Sequence, residues 1–158
     1  MRGLGREFDG SYAEYTLVPA TQIYPIDSTL DWINFAAIPE TYATAFGSLF
    51  YSLKLVNTDV LLIRGATSLV GIAAIQLAKS IGCTILATTR SKAKLKPLTS
   101  LGANYSLLDD DHLEDTIHQL YPKGISKVLE LLGASTLKSS MSFLNKDGLF
   151  CMSGVLGG

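Results

Sequence analysis

From residue 59 onward the chain alternates short, continuous apolar runs with segments of helical spacing, and this pattern confines the fold more than any other feature. Val60-Leu61-Leu62-Ile63 contains no polar residue, as a strand buried on both faces requires. Leu69–Ile81 comes next with apolar residues at helical spacing, and Gly82 stands where a C-terminal cap would fall. Thr84–Thr89 reads as a second strand. A helix is predicted from Ser91 to Leu101, with Gly102 after it and Pro97 inside it, where proline should kink or split it. Tyr105–Leu108 is a weak third strand, Asp109–Tyr121 an acidic helix stopped by Pro122, and Lys127–Leu132 a fourth strand. Ser135–Leu144 is a helix with Asn145-Lys146-Asp147-Gly148 as its exit turn, and Leu149–Ser153 a fifth strand. Repeated strand–helix units with buried strands imply an α/β fold: a doubly wound parallel sheet of about five strands with helices on both faces.

The chain before residue 57 has a different grain. Asp9-Gly10 is a turn signal before the strand-like Ser11-Tyr12-Ala13-Glu14-Tyr15-Thr16-Leu17-Val18, and Pro19 and Pro25 punctuate the stretch after it. Residues 1–27 are too few to bury a core of strands by themselves, so they read as the remnant of a larger β-rich unit. Residues 28–56 are predicted helical: Leu30, Ile33, Ala37 and Ile38 precede Pro39, and Tyr42, Ala45, Phe46, Leu49, Phe50 and Leu53 recur after it at helical spacing. The expected division is therefore a remnant at 1–27, connecting helices at 28–56 and the parallel sheet at 57–158.

Composition closes off several functions. A net charge of −1 argues against a nucleic-acid-binding surface. No apolar run reaches the roughly 18 residues that cross a bilayer, and Met1–Arg6 has no apolar signal core behind it. A cytoplasmic, reduced location is expected. Cys83 and Cys151 are too few for a disulfide scaffold or a four-cysteine zinc site, and both fall at strands, where a small core residue is the ordinary role. His112 and His118 lie six apart, off one helical face, and read as surface residues. The run Asp109-Asp110-Asp111 reads as a solvated helix start favoured by the helix dipole. No metal is expected.

The residues that point to chemistry lie between the first strand and the first helix of the series, Arg64-Gly65-Ala66-Thr67-Ser68-Leu69-Val70-Gly71. A dinucleotide fold places its phosphate loop there, because small residues let the backbone approach a pyrophosphate whose charge then sits on the helix N-terminus. The three positions of a G-x-G-x-x-G pattern are Ala66, Ser68 and Gly71, so two glycines are replaced and the strand–helix context carries the reading. The end of the second strand speaks to cofactor type. An acid about 20 residues after the motif would hold the ribose hydroxyls of NAD; the strand ends instead in Thr88-Thr89-Arg90-Ser91-Lys92-Ala93-Lys94. Arg90 can pair with a phosphate in bidentate fashion, and Ser91 can cap the next helix and donate to the same phosphate. This favours NADPH over NADH.

Gly65-Ala66-Thr67-Ser68-Leu69-Val70-Gly71-Ile72-Ala73-Ala74-Ile75-Gln76-Leu77-Ala78-Lys79 resembles the cofactor loop and helix of the medium-chain dehydrogenase/reductase superfamily, nearest its zinc-independent quinone oxidoreductase branch. Other stretches agree in order. Asp9–Tyr15 resembles the end of that family's GroES-like catalytic domain, and Pro39–Phe46 its connecting helix. Leu101-Gly102-Ala103 and Gly148–Gly154 are similar to later landmarks. Family members run to roughly twice this length, so the chain is expected to be a Rossmann-like cofactor-domain fragment or a truncated gene product. The resemblance implies that Ala66, Thr67, Ser68, Leu69 and Val70 line the pyrophosphate and that Arg90, Ser91 and Lys94 hold the 2′-phosphate. It implies Leu132 and Gly133 beside the adenosine or ribose, Ser153, Gly154 and Val155 near the nicotinamide, and Thr44 at the nicotinamide end. Ser68-Leu69 departs from the family's common Gly-Gly. Glu40 stands near the place where zinc-dependent relatives carry a ligand cysteine.

Two functions of different class are implied. One is an NADPH-dependent oxidoreductase passing hydride to a quinone or enone, with the cofactor supplying the reaction and the protein positioning it. No general acid is assigned. The other is a non-catalytic NADPH-binding or sensing module, without a complete active site. Self-association through an exposed strand edge is a further expectation. A short-chain dehydrogenase would need Lys four residues after a Tyr, and none of the seven tyrosines has one. Neither a G-x-S-x-G elbow nor a G-x-x-x-x-G-K-[ST] loop occurs.

Overall fold

In a computed structural model, residues 4–154 are described. The chain divides into two compact units, residues 1–35 and 36–158. In the first, the described residues form one isolated bridge, Leu4 to Phe8, and a helical turn at Ala20–Gln22. The strand expected at Ser11–Val18 is absent, and Tyr12, Tyr15 and Leu17 are almost fully exposed. A strand exists only through the partners of its backbone amides, and the described residues of this unit provide no second strand beside it. A short helix, α1 (Trp32–Ala36), begins after Asp31, whose carboxylate accepts from the Asn34 amide at 2.9 Å and so lies below the usual carboxylate range.

The second unit is the predicted α/β fold. Helix α2 (Ile38–Phe46) starts with Pro39 in its first turn, where the missing amide costs nothing, and runs into a wider helical turn at Gly47–Ser52. Strands β1 (Val60–Arg64), β2 (Thr84–Thr89), β3 (Tyr105–Leu108), β4 (Ile125–Glu130) and β5 (Leu144–Met152) form one sheet in the order β3-β2-β1-β4-β5. Every neighbouring pair is parallel, with Leu62 opposite Leu86 on one side and Val128 on the other. Helices α3 (Leu69–Ile81), α4 (Leu95–Leu101), α5 (Leu113–Leu120) and α6 (Ala134–Ser142) make the crossovers.

Alternation along β1 divides the core in two. Leu61 and Ile63 pack with Ala45 of α2, Leu49 of the helical turn after it, and Ala74 and Ile75 of α3, whereas Leu62 packs with Leu113, Ile117 and Phe143 on the opposite face. The strand order reverses between β1 and β4. That is the switch point at whose C-terminal strand ends open α/β sheets hold their ligands.

Several boundaries differ from expectation, among them β4, expected at Lys127–Leu132 and found at Ile125–Glu130. A tight turn at Lys92–Lys94 precedes α4, so the helix breaks ahead of Pro97, which sits in its first turn. Helix α5 begins at Leu113 because Asp109 continues the sheet, its amide donating to Thr89 O at 2.9 Å. Residues 145–148, expected as an exit turn, lie inside β5. Ile125 pairs with Leu144 and Lys127 with Leu149, so the extra residues bulge from the ladder.

Cys83 is buried, as expected, and donates weakly to Ala78 O at 3.6 Å. Burial, and then the charge of Asp59, push its thiol up to about 11. At pH 8 a maleimide should label Cys151, which is half-buried, and reach Cys83 only after denaturation; equal labelling rates in the native protein would contradict this placement. Because the folded value is raised, this site favours folding below the unfolded thiol's value near ~8.5. That contribution is lost as pH rises toward 11.

Candidate functional site

The loop after β1 is built to leave backbone donors open. Gly65 holds φ at +81°, a left-handed conformation, and a Cβ there would stand 2.9 Å from Leu132 Cδ2. Ser68 caps α3, its Oγ accepting from the Gly71 amide at 3.1 Å. Ala66 N–H donates to Thr88 O at 3.1 Å and Ser68 N–H to Gly65 O at 3.1 Å. Among the described residues, none accepts from the backbone amides of Thr67, Leu69 or Val70. These three donors at a helix N-terminus match an anion's needs. Gly71 is required for a different reason: a Cβ on it would lie 2.6 Å from Ala66 O, so the helix could not approach the loop.

Ser68-Leu69, the departure from Gly-Gly, forms the N-cap and the first residue of α3. The Leu69 side chain is 75% exposed and its amide stays open. Ala66, by contrast, is fully buried with its amide committed inward, so it offers the pyrophosphate no backbone donor.

A cleft of about 210 Å³ joins this loop to the end of β2, lined by Gly65, Thr67, Ser68, Thr89, Arg90 and Asp109 among others. Arg90 is exposed there. Ser91 and Lys94 lie just beyond the lining residues, on the turn that leads to α4. The expected Ser91 side-chain cap is not made. Its carbonyl holds the Lys94 amide at 3.0 Å and its amide donates to Thr89 Oγ1 at 3.2 Å.

On the other side of the switch point, Leu132 and Gly133 donate their amides to the Glu130 carboxylate at 2.7 and 3.3 Å. At the end of β5, Ser153 Oγ is 2.7 Å from Ser48 Oγ, and Ser48 donates to Thr44 O at 2.8 Å. Ser48 thereby joins two residues the sequence placed together, Thr44 and Ser153. Gly154 leaves no room for a side chain: a Cβ would stand 1.9 Å from Leu131 O. Val155 lies outside the described residues.

Sequence reasoning missed the polar network beneath the cleft. Arg64, at the end of β1, is 7% exposed and pairs with Asp109 through Nε at 2.9 Å and Nη2 at 2.8 Å. Asp109 therefore is not part of a solvated helix start. The same guanidinium donates to Ser139 Oγ at 2.6 Å and Ser140 Oγ at 3.0 Å, and Ser140 in turn donates to the fully buried Glu130. The available signal was the charge itself, since Arg64 ends an otherwise apolar strand and Asp109 stands directly after another. Asp110 and Asp111 remain exposed, as do His112 and His118.

Residues 70–158 match the model of the family described as zinc-binding dehydrogenase. The chain belongs to that family, within the medium-chain dehydrogenase/reductase superfamily. Human quinone oxidoreductase is 29% identical over 150 residues, covering 94% of this chain and 46% of the relative. The rat quinone oxidoreductase is 28% identical with the same coverage. Among solved structures, an NAD-dependent alcohol dehydrogenase superposes with a TM-score of 0.88 at 30% identity, over 99% of this chain and 47% of the other. A mycobacterial protein solved with NADPH shares the fold, with a TM-score of 0.82 at 21% identity over 89% of this chain and 44% of the other. The chain spans about half the length of the curated relatives it matches. The Rossmann-like sheet and the oxidoreductase family are those expected from the sequence.

The family's description names zinc. Among the described residues, no three His, Cys, Asp or Glu side chains cluster closely enough to hold a metal ion. No helix among the described residues is long and apolar enough to cross a membrane.

Proposed function

We propose that this chain is the NADPH-binding part of an oxidoreductase of the quinone oxidoreductase type, working without resident zinc in the cytoplasm and passing hydride to a quinone or enone. Residues 1–27 would be the end of a GroES-like catalytic domain, 28–56 the connecting helices and 57–158 the cofactor domain. One observation carries the reading: a single cleft joins the loop at Thr67, whose amide is open, to the exposed guanidinium of Arg90, with no acid at the end of β2. The one carboxylate lining that cleft, Asp109, is already paired with Arg64.

The dihydronicotinamide supplies the hydride when bound. The chain's own residues bind and orient it. The amides of Thr67, Leu69 and Val70 would hold the pyrophosphate at the positive end of α3. Arg90, Ser91 and Lys94 would hold the 2′-phosphate, and Leu132 and Gly133 would flank the ribose. Thr44, Ser153, Gly154 and Val155 would frame the nicotinamide end, with Ser48 tying α2 to β5.

Calorimetric titration of NADPH and NADH tests this directly. NADPH should bind more tightly, and Arg90→Ala should weaken NADPH by about 1.5–3 kcal/mol while leaving NADH nearly unchanged. Equal affinities in the parent would sink the cofactor reading. A second reading is a sensing module that binds NADPH without turnover. Cofactor binding with no quinone reduction under any extension of the chain would select it.

A further inference from the structure

Thr88 is fully buried in β2 beside the phosphate loop. Its carbonyl accepts from Ala66 N–H at 3.1 Å and its hydroxyl accepts from Gly65 N–H at 3.2 Å. A hydroxyl that accepts from an amide must send its own proton elsewhere. Here that proton goes to Asp109 Oδ2 at 3.0 Å. The same oxygen accepts from Arg64 Nε at 2.9 Å, and Asp109 Oδ1 accepts from Arg64 Nη2 at 2.8 Å. The donor order is thus set along the whole chain of contacts, from Arg64 through Asp109 and Thr88 to Gly65. An ionised, doubly held carboxylate is a strong acceptor, which keeps the Thr88 hydroxyl in one rotamer.

We propose that Thr88 and Asp109 are positioning residues for cofactor binding. The Thr88 hydroxyl, held by Asp109, turns the Gly65 amide inward beside the Ala66 amide that the Thr88 carbonyl takes, and the next open amides, on Thr67, Leu69 and Val70, are left for the pyrophosphate. The proposal rests on the nucleotide reading and goes beyond it. Neither residue is asked to touch the cofactor's reacting atoms.

The test compares two probes. NADPH engages the loop through its pyrophosphate, whereas 2′-AMP carries the 2′-phosphate and no pyrophosphate. Thr88→Val keeps the side-chain shape and removes the hydroxyl. It should weaken NADPH about tenfold and leave 2′-AMP unchanged, with Thr88→Ser restoring NADPH binding. Asp109→Asn should fall between. Equal weakening of both probes means general damage and overturns the proposal, as does no weakening of either. A measurement on the unaltered chain covers the case in which Thr88→Val does not fold. By amide hydrogen exchange, Gly65 and Ala66 should be protected before NADPH is added and unchanged after, while Thr67, Leu69 and Val70 gain protection. Protection of Gly65 that appears only with NADPH overturns it. A parent that binds neither probe overturns the nucleotide reading and the positioning roles with it; a parent that binds both, with variants that match it, overturns the positioning roles alone.

Discussion

Arg64→Leu should destabilise the sheet unit by about 3–5 kcal/mol, the cost of leaving a buried carboxylate without its partner. Asp109 keeps only the Thr88 hydroxyl once the guanidinium is gone, and Ser139 and Ser140 lose a charged donor. Arg64→Leu with Asp109→Leu removes both charges and should recover most of the loss, because well-packed apolar residues often equal a buried ion pair in stability. Urea denaturation of the parent, both single variants and the double variant reads the coupling directly. Additive losses in the double variant would show that the pair does not act as a unit. The effect is large because the pair lies beneath three strand ends at once, on β1, β2 and β3, and solvent screening there is slight.

The second effect concerns turnover. On the proposed reading, the 158-residue chain binds NADPH and reduces a simple quinone at least ~10²-fold more slowly than a version extended at both ends to the length of its relatives. Holding hydride donor and acceptor at near-attack distance is worth up to about 7–11 kcal/mol. The described sheet unit can hold the donor at the switch point between β1 and β4. On the proposed reading the acceptor would lie in a cleft between two domains, and this chain spans 46% of the human relative. The loss of NADPH absorbance, with a quinone and with an enone as acceptor, checks this. Equal rates from the two lengths would place the active site wholly within residues 1–158.

The elements of the sheet unit were legible because each rests on local rules. Val60–Ile63 has to be buried on both faces to satisfy its apolar side chains, and Leu69–Ile81 repeats at the helical period with a glycine at its end. Strand boundaries shifted where long-range pairing overrode local signals. Residues 145–148 look like a turn and become a bulge because β4 holds Leu144 and Leu149 on either side of them. Ser11–Val18 failed for the opposite reason, since local strand propensity needs a partner that the described residues do not provide.

The candidate site divides in the same way. Sequence alone determined the loop, its helix and the absence of an acid after β2, because strand, small residues and helix succeed one another directly and Arg90 stands at a fixed distance from them. Only the tertiary structure decided which loop amides stay open and why. Arg64, Thr88 and Asp109 are distant in sequence and meet because β1, β2 and β3 lie side by side. Ser48 and Ser153 are 105 residues apart and meet because the helical turn after α2 packs at the end of β5. A buried charge has to find its partner wherever the fold supplies one, and no spacing along the chain records where that will be.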